Sequence, residues 1–240
     1  MRVFETPLKG LLGMALLAAC AAMAQPAPGA VDMAARVQAC TACHGKEGRS
    51  TPDGYFPRIA GKPAQYLYNQ LLNFRDGRRH YPAMSHLLQW MSDDYLHEIA
   101  RHFAALDLPY APPPQVAATP QVIAQGRELA LRGDAARNLP ACVQCHGEQL
   151  TGNAFGVAGL VGLPRDYLNS QLGAWQNGQR HAQAPDCMAQ VVERMTASDI
   201  VAVTAWLASQ PVPAGARPAT EAPRGTIACA GWPDGAKEQP

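Results

Sequence analysis

The sequence contains CTACH at residues 40–44 and CVQCH at residues 142–146, two copies of the pattern Cys-x-x-Cys-His. This pattern is the attachment signature of c-type haem. The two thiols add to the porphyrin vinyl groups as thioethers, and the histidine that follows lies under the ring as the proximal iron ligand. Two copies in similar surroundings predict two covalently bound haem c groups. The residues that would hold them are the cysteines Cys40, Cys43, Cys142 and Cys145 and the iron ligands His44 and His146.

Two other kinds of site that use Cys-x-x-Cys explain the pattern less well. Zinc sites often pair two such knuckles, but zinc gives no reason for a histidine directly after each one. A thioredoxin-like dithiol is expected beside a βαβ pattern, and the sequence contains none. The motifs therefore favour haem over zinc or a redox dithiol.

An internal repeat divides the chain into two similar parts. The segment GKPAQYL at residues 61–67 matches GLPRDYL at residues 162–168, and the offset between them stays constant further along. The residues paired at this offset include Gln70 with Gln171, Phe74 with Trp175, Arg79 with Arg180 and His80 with His181. We expect a first cytochrome domain at residues 25–107, a Pro-rich linker at 108–120, a second cytochrome domain at 121–210 and a Pro/Gly-rich tail at 211–240.

Each copy predicts helices and no convincing strand. Apolar residues at three- and four-residue steps predict one helix around residues 66–74 and its counterpart around 167–175. Further helices are expected to lead into each haem motif and to start at Ser92 and Thr196. The predicted fold class is all-α, with two tandem class I cytochrome c domains that are small helical folds around one covalent haem each. The cofactor supplies apolar area that such small domains otherwise lack.

The N-terminus has the features of an export signal. A positively charged start is followed by an apolar run and by the small-residue cleavage site Ala22-Met23-Ala24, so we expect a signal peptide at residues 1–24 and a periplasmic protein. The alternative is a lipobox that ends at Cys20, which would leave a lipidated cysteine and tether the protein to a membrane.

The charge of the mature chain is balanced. Loss of Arg2, Glu5 and Lys9 with the signal peptide leaves equal numbers of basic and acidic residues. This balance argues against a nucleic-acid partner. We expect protein partners to be met through local patches, such as the one at residues 75–79 that contains Arg75, Arg78 and Arg79.

The sixth iron ligand has two methionine candidates in each copy. Met91 and Met195 directly precede the expected helix caps, where a hydrophobic residue packs on the following helix as a staple. Met84 and Met188 are expected in loops that contain proline, where helix periodicity gives no reason for an apolar residue. A thioether in such a loop suits haem iron, so Met84 and Met188 are the predicted ligands.

Other residues compete for the same role. His80 and His181 would give bis-histidine haems, although their position at a helix end beside an arginine has a simpler explanation in the helix dipole. Cys187, directly before Met188, would give thiolate ligation and indicate sulfur-compound chemistry. A disulfide between Cys187 and Cys229 is the simpler prediction in an oxidising compartment, and it would hold the tail against the second domain.

With these residues placed, the chain resembles the di-haem cytochrome c4 family over about residues 31–210. The resemblance implies two class I cytochrome c domains with His/Met ligation, carried by His44 and Met84 and by His146 and Met188. It also implies a periplasmic electron carrier between a dehydrogenase or a cytochrome bc1-type complex and a terminal oxidase. Two features depart from the family: Ala158 replaces the proline found at Pro57, whose neighbouring carbonyl orients the proximal histidine, and the tail after Gln210 is unusual.

Two alternatives to a carrier remain open from the sequence. A di-haem enzyme, similar to a thiosulfate dehydrogenase or to a peroxidase, would need Cys187 ligation or an exchangeable sixth site. The chain could instead be the cytochrome subunit of a dehydrogenase complex.

Overall fold

The computed structural model describes residues 32–51, 54–224 and 227–230, together with Met1. The signal peptide predicted for residues 1–24 and the lipidation alternative at Cys20 lie outside the described residues. The chain divides into two units, Met1–Val31 and Asp32–Pro240, and the second unit contains every element described below.

The described residues form α-helices and contain isolated β-bridges but no sheet, which confirms the predicted all-α class. A short 3-10 helix at Lys46–Gly48 follows the first haem motif, and another at Ala135–Arg137 precedes the second. The helices of the first copy are α1 (Met33–Arg36), α2 (Gln38–His44), α3 (Ala64–Arg75), α4 (Pro82–Leu88) and α5 (Asp93–Ala105). Those of the second copy are α6 (Pro120–Arg132), α7 (Cys142–His146), α8 (Arg165–Gln176), α9 (Cys187–Glu193) and α10 (Ala197–Ser209).

The last helix of each copy begins where the sequence predicted. The backbone N–H of Tyr95 donates to the Ser92 hydroxyl at 3.3 Å, so Ser92 caps α5. Thr196 caps α10 with a reciprocal pair of bonds, because Asp199 N–H donates to the Thr196 hydroxyl at 3.2 Å and Thr196 N–H donates to the Asp199 carboxylate at 2.8 Å. Each cap satisfies backbone donors that the first helical turn leaves without a partner.

Each copy has its own apolar core. In the first copy, α3 and α5 bury a cluster that includes Leu67, Leu96 and Phe103. In the second, α6 packs on α10, whose residues are buried on most of its circumference. The two helices approach closely at Gly126, where a Cβ would lie within 3.0 Å of the Ala202 carbonyl group. Glycine is therefore required at this crossing for steric reasons.

The prediction that Met84 and Met188 lie in loops was wrong. Met84 lies in the first turn of α4, which begins with Pro82 at its first position, where the missing N–H costs no helical hydrogen bond. Met188 lies in the first turn of α9, whose N-cap Asp186 accepts a hydrogen bond from Ala189 N–H at 3.0 Å. The sequence reasoning treated these prolines as loop markers, but here one of them starts a helix.

The segment between the two copies lies along the protein surface without regular secondary structure over residues 106–119. The buried Arg58 fixes it, since its guanidinium donates to the carbonyls of Leu108 and Pro109 and lies 3.9 Å from the Tyr110 ring centre. No helix among the described residues is long and apolar enough to cross a bilayer.

Candidate haem sites

The first motif lies on a helix that faces a large cavity. Cys40, Cys43 and His44 on α2 line this cavity together with Met84 from α4, so the structure brings the four predicted residues of the first site to one space. The cavity has a volume of about 850 Å³, which is in the range typical of cofactor sites. Both cysteines are free thiols, as thioether formation requires.

His44 has the orientation and protonation that an iron ligand needs. Its Nδ1 lies 2.8 Å from the carbonyl oxygen of Pro57, an acceptor, so Nδ1 carries the proton and Nε2 keeps a free lone pair. Burial lowers the pKa of His44, which keeps the imidazole neutral at pH 7. The carbonyl also makes the ring a stronger donor to iron.

The second motif repeats this arrangement on α7. His146 Nδ1 lies 2.7 Å from the carbonyl oxygen of Ala158, and burial lowers the pKa of His146 as well. Ala158 therefore provides the same backbone acceptor as Pro57, and its departure from the family pattern does not remove the hydrogen bond. Burial raises the pKa of Cys142 to about 12 and that of Cys145 to about 11, so both thiols are neutral.

Cys187 and Cys229 form the predicted disulfide, with a Cα–Cα distance of 4.9 Å. The bond is confirmed, and because the Cys187 sulfur is used in it, Cys187 does not offer a thiolate to iron. Buried Cys229 packs against Cys145 of the second motif, so the disulfide connects the start of α9 to the edge of that motif. Met188, the next residue after Cys187, is partly buried. Residues of the second motif do not line the large cavity of the first.

A buried polar cluster joins the two copies. Arg79 donates to Gln70 of its own copy at 2.9 Å and to Gln171 and Tyr167 of the other copy. Arg180 makes the equivalent hydrogen bonds, donating to Gln171 of its own copy at 2.7 Å and to Gln70 of the other copy at 3.0 Å. Residues matched by the sequence repeat thus exchange equivalent partners, which gives this contact a local two-fold symmetry.

Aromatic rings and backbone bonds complete the contact between the copies. The guanidinium of Arg79 lies 4.3 Å from the Phe74 ring centre, and that of Arg180 lies 3.8 Å from the ring of Trp175. Arg79 and Arg180 also form an antiparallel β-bridge. The sequence analysis missed this role of the arginines. The signal for it was that Gln70 and Arg79 recur at the same offset as Gln171 and Arg180, with each glutamine interrupting an apolar helix stripe.

The two histidines that compete as sixth iron ligands, His80 and His181, lie at the edges of this contact. The backbone N–H groups of His80 and His181 donate to Gln179 and Arg78 of the opposite copy at 2.8 Å and 2.7 Å, and both side chains are exposed. The His181 ring lies 3.0 Å from the Gly178 carbonyl oxygen of its own turn.

The expected docking patch at residues 75–79 is not a free cationic surface. Arg79 is 8% exposed and belongs to the buried cluster. Arg75 and Arg78 both pair with Asp76 at 2.9 Å, and Arg75 pairs with Asp93 as well. These aspartates neutralise most of the positive charge of the patch.

The residues present fit two covalent haems better than a zinc ion. Among the residues that the structure describes, no group of three or more His, Cys, Asp or Glu side chains could hold a metal ion. Among the described residues, the buried guanidinium groups of Arg79 and Arg180 donate to glutamine and tyrosine oxygens, and no carboxylate pairs with either. Because both arginines line the first cavity, an anionic cofactor would supply the missing counter-charge.

An all-α fold with two Cys-x-x-Cys-His helices and two carbonyl-bound histidines defines a di-haem c-type cytochrome. Comparison with known proteins narrows this class. The chain is 32% identical to cytochrome c4 from Pseudomonas aeruginosa over 200 residues, which cover 82% of this chain and 92% of the relative. The structure matches reduced cytochrome c4 from Pseudomonas stutzeri with a TM-score of 0.64 and 29% identity, over 73% of this chain and 95% of the other. The chain belongs to the di-haem cytochrome c4 family. It is an electron-transfer protein with two covalent haem c groups.

Other similar proteins are named for thiosulfate dehydrogenases. It is 38% identical to a thiosulfate dehydrogenase electron acceptor from Thiomonas intermedia, over 72% of this chain and 79% of the relative. It also resembles the structure of a thiosulfate dehydrogenase from Marichromatium purpuratum, with 35% identity, a TM-score of 0.61 and coverage of 72% of this chain. The match covers 36% of that protein, so the chain spans about a third of its length. No protein-family profile matches the chain.

Proposed function

We propose that the chain is a periplasmic electron shuttle that accepts electrons from a substrate-oxidising dehydrogenase of the thiosulfate dehydrogenase class and delivers them to a terminal oxidase. The observation that carries the choice of donor is the similarity to electron acceptors of thiosulfate dehydrogenases, at 38% and 34% identity. A quinol-oxidising complex of the cytochrome bc1 type is the alternative donor.

In this proposal each iron has one histidine and one methionine ligand. His44 and Met84 would ligate the first iron, because both side chains line one cavity. The rival His80 lines this cavity too, but its side chain is exposed, whereas that of Met84 is partly buried. His146 and Met188 would ligate the second, supported by the disulfide that holds the start of α9 near Cys145. Met91 packs against the first apolar core, as Met84 does, but only Met84 also lines the cavity, and Met195 packs against the second core.

A carrier needs filled axial positions, because an open sixth site favours substrate binding. Haem iron would supply a one-electron couple, and residues of the chain would set its reduction potential. The carbonyls of Pro57 and Ala158 raise the donor strength of the histidines, and the buried charges of Arg79 and Arg180 favour the reduced iron. We also propose two cytochrome domains, at residues 25–107 and 121–210, which are joined by a linker at 108–120 and followed by a tail at 211–240.

The proposal is tested by mixing the oxidised holoprotein with thiosulfate in the presence and absence of a purified thiosulfate dehydrogenase, while the haem absorption is followed. A carrier is reduced only when the dehydrogenase is present. Reduction by thiosulfate alone would identify the chain as the enzyme. Reduction by a quinol-oxidising complex, with no response to the dehydrogenase, would replace the proposed donor.

A second candidate is a cytochrome subunit of a dehydrogenase complex. The Marichromatium match favours it, because the similar segment there is part of a longer chain of a thiosulfate dehydrogenase. Size-exclusion chromatography of this protein with the purified dehydrogenase separates the two cases. Co-elution at micromolar concentration supports a stable complex, and separate elution with rapid reduction supports the shuttle.

A further inference from the structure

The residues after Gln210 lie across the second haem motif. We call the described part of this segment, residues 211–224 and 227–230, the C-terminal strap. Arg224 N–H donates to the carbonyl of Gln144, between the two haem cysteines, at 2.9 Å. Cys229, 6% exposed, packs on Cys145 and is bonded to Cys187. The strap thus covers the helix edge at which a thioether to Cys145 would form.

Further bonds hold the strap along its length. Ala219 N–H donates to Gly152 at 2.8 Å, and Ala154 N–H donates to Ala219 at 2.9 Å. The Thr151 hydroxyl donates to the carbonyl of Arg217 at 2.8 Å. Near its end, Ala230 N–H donates to Pro185 at 3.0 Å, two residues before the disulfide. The strap is therefore tied to the loop after the motif at one end and to the start of α9 at the other.

The first motif offers an internal comparison. Cys43 occupies the position of Cys145 in the repeat and is exposed, whereas Cys145 is partly buried. Ala42 and its counterpart Gln144 are both exposed. Among the described residues, no backbone N–H from a later segment bonds to the Ala42 carbonyl, and the segment after α5 instead lines the first cavity at residues 114–117. The second cysteine of the first motif is therefore more exposed to solvent than that of the second motif.

We propose that the C-terminal strap closes the cysteine edge of the second haem to redox proteins, so that electrons enter and leave the protein at the first haem. Exchange between two proteins requires a close approach of the cofactor edges, and the strap adds a layer of backbone and a disulfide at one of them. The second haem then exchanges electrons with the first through the contact between the copies. This inference rests on the proposed function, because it assumes a haem at each motif.

The first test measures access in the unmodified reduced holoprotein. A neutral gadolinium chelate is added, and NMR relaxation of the thioether-methyl protons is compared between the haem at Cys43 and the haem at Cys145. The proposal predicts severalfold greater enhancement at Cys43. Equal enhancement at the two positions would overturn it.

The second test blocks each edge in turn. Lys46 and Glu148 are exposed residues at matched positions, two residues after the histidine of each motif. Lys46→Cys and Glu148→Cys are labelled with an uncharged polyethylene-glycol maleimide, and oxidation of the reduced protein by a soluble mitochondrial-type cytochrome c is timed. The label at position 46 should slow oxidation by about tenfold or more, within the range over which related association rates vary. The label at position 148 should have little effect, and equal effects would refute the proposal.

A third variant tests the strap itself. Cys187→Ala with Cys229→Ala, added to the labelled Lys46→Cys protein, should restore much of the lost rate by releasing the strap from the second edge. No recovery in a folded double variant would contradict the proposal, and if this variant does not fold, the two labelled proteins decide the question. The haem content is measured first. Fewer than two haems per chain would contradict the proposed function, whereas two haems with equal access would contradict only the role of the strap.

Discussion

The close crossing of α6 and α10 predicts an unusual response to alanine at Gly126. In an exposed helix interior, Gly→Ala stabilises by about 1 kcal/mol because alanine has the higher helix propensity. At Gly126 the new Cβ would lie within 3.0 Å of three atoms, namely the carbonyl carbon and oxygen of Ala202 and the Cβ of Trp206. Two of these are backbone atoms, so no side-chain rotation removes the overlap.

The expected cost follows from this geometry. Overpacking in a core costs about 1–3 kcal/mol when side chains can adjust, and here the helices themselves must move apart. That movement would loosen α10, in which Ile200, Val203, Trp206 and Leu207 are all buried. We expect Gly126→Ala to lower the free energy of unfolding of the second copy by about 3 kcal/mol or more.

A matched control is available in α8. A Cβ at Gly173 would meet nothing within 4 Å, so Gly173→Ala should raise the free energy of unfolding by up to about 1 kcal/mol. Guanidinium unfolding of the oxidised holoproteins, followed by far-UV circular dichroism, measures both variants. If Gly126→Ala is as stable as Gly173→Ala, the helices do not cross at this distance and the packing described here is wrong.

Three further perturbations have defined outcomes. Burial would raise the pKa of Asp199, but hydrogen bonds from Arg137 and Thr196 outweigh it and lower the pKa to about 2. The ionised carboxylate therefore stabilises the folded state at any pH above the pKa that Asp199 has in the unfolded chain. About 2 kcal/mol should therefore be lost as the pH falls from about 4 to about 2, a loss that acid titration should find reduced in Asp199→Asn. Removal of the helix caps with Ser92→Ala and Thr196→Ala should each lower the free energy of unfolding by about 1 kcal/mol, measured by thermal unfolding. The loss should be larger at Thr196, because its side chain takes part in two hydrogen bonds to Asp199. Equal losses would contradict the capping box. Arg180→Met removes a buried positive charge, so spectroelectrochemical titration should find lower haem potentials by tens of millivolts, whereas unchanged potentials would place the charge away from both irons.

Local signals in the sequence predicted much of the fold. The haem motifs, the helices around residues 66–74 and 167–175 and the caps at Ser92 and Thr196 depend on neighbouring residues, and the structure has these helices and caps as predicted. The Cys187–Cys229 disulfide could be predicted because, apart from Cys20 in the expected signal peptide, only two cysteines remained after the haem motifs.

The features that the sequence did not predict depend on tertiary context. Pro82 was read as a loop marker, yet a proline is equally suited to start a helix, and only the packing of α4 decides between the two. The burial of Arg79 and Arg180 could not be predicted, because arginine is rarely buried without a charged partner. The path of the strap across α7 could not be predicted beyond the position of its disulfide.

The central claim, that the protein is a carrier with a His/Met pair on each iron, has a direct spectroscopic test. The oxidised holoprotein is examined for the far-red sulfur-to-iron charge-transfer band, with its intensity expressed per haem. The account predicts two equivalents, each lost separately in Met84→Ala and Met188→Ala and retained in the control variants Met91→Leu and Met195→Leu. One equivalent or none in the unmodified protein would contradict the proposed ligands and leave an iron with a sixth site available for substrate chemistry.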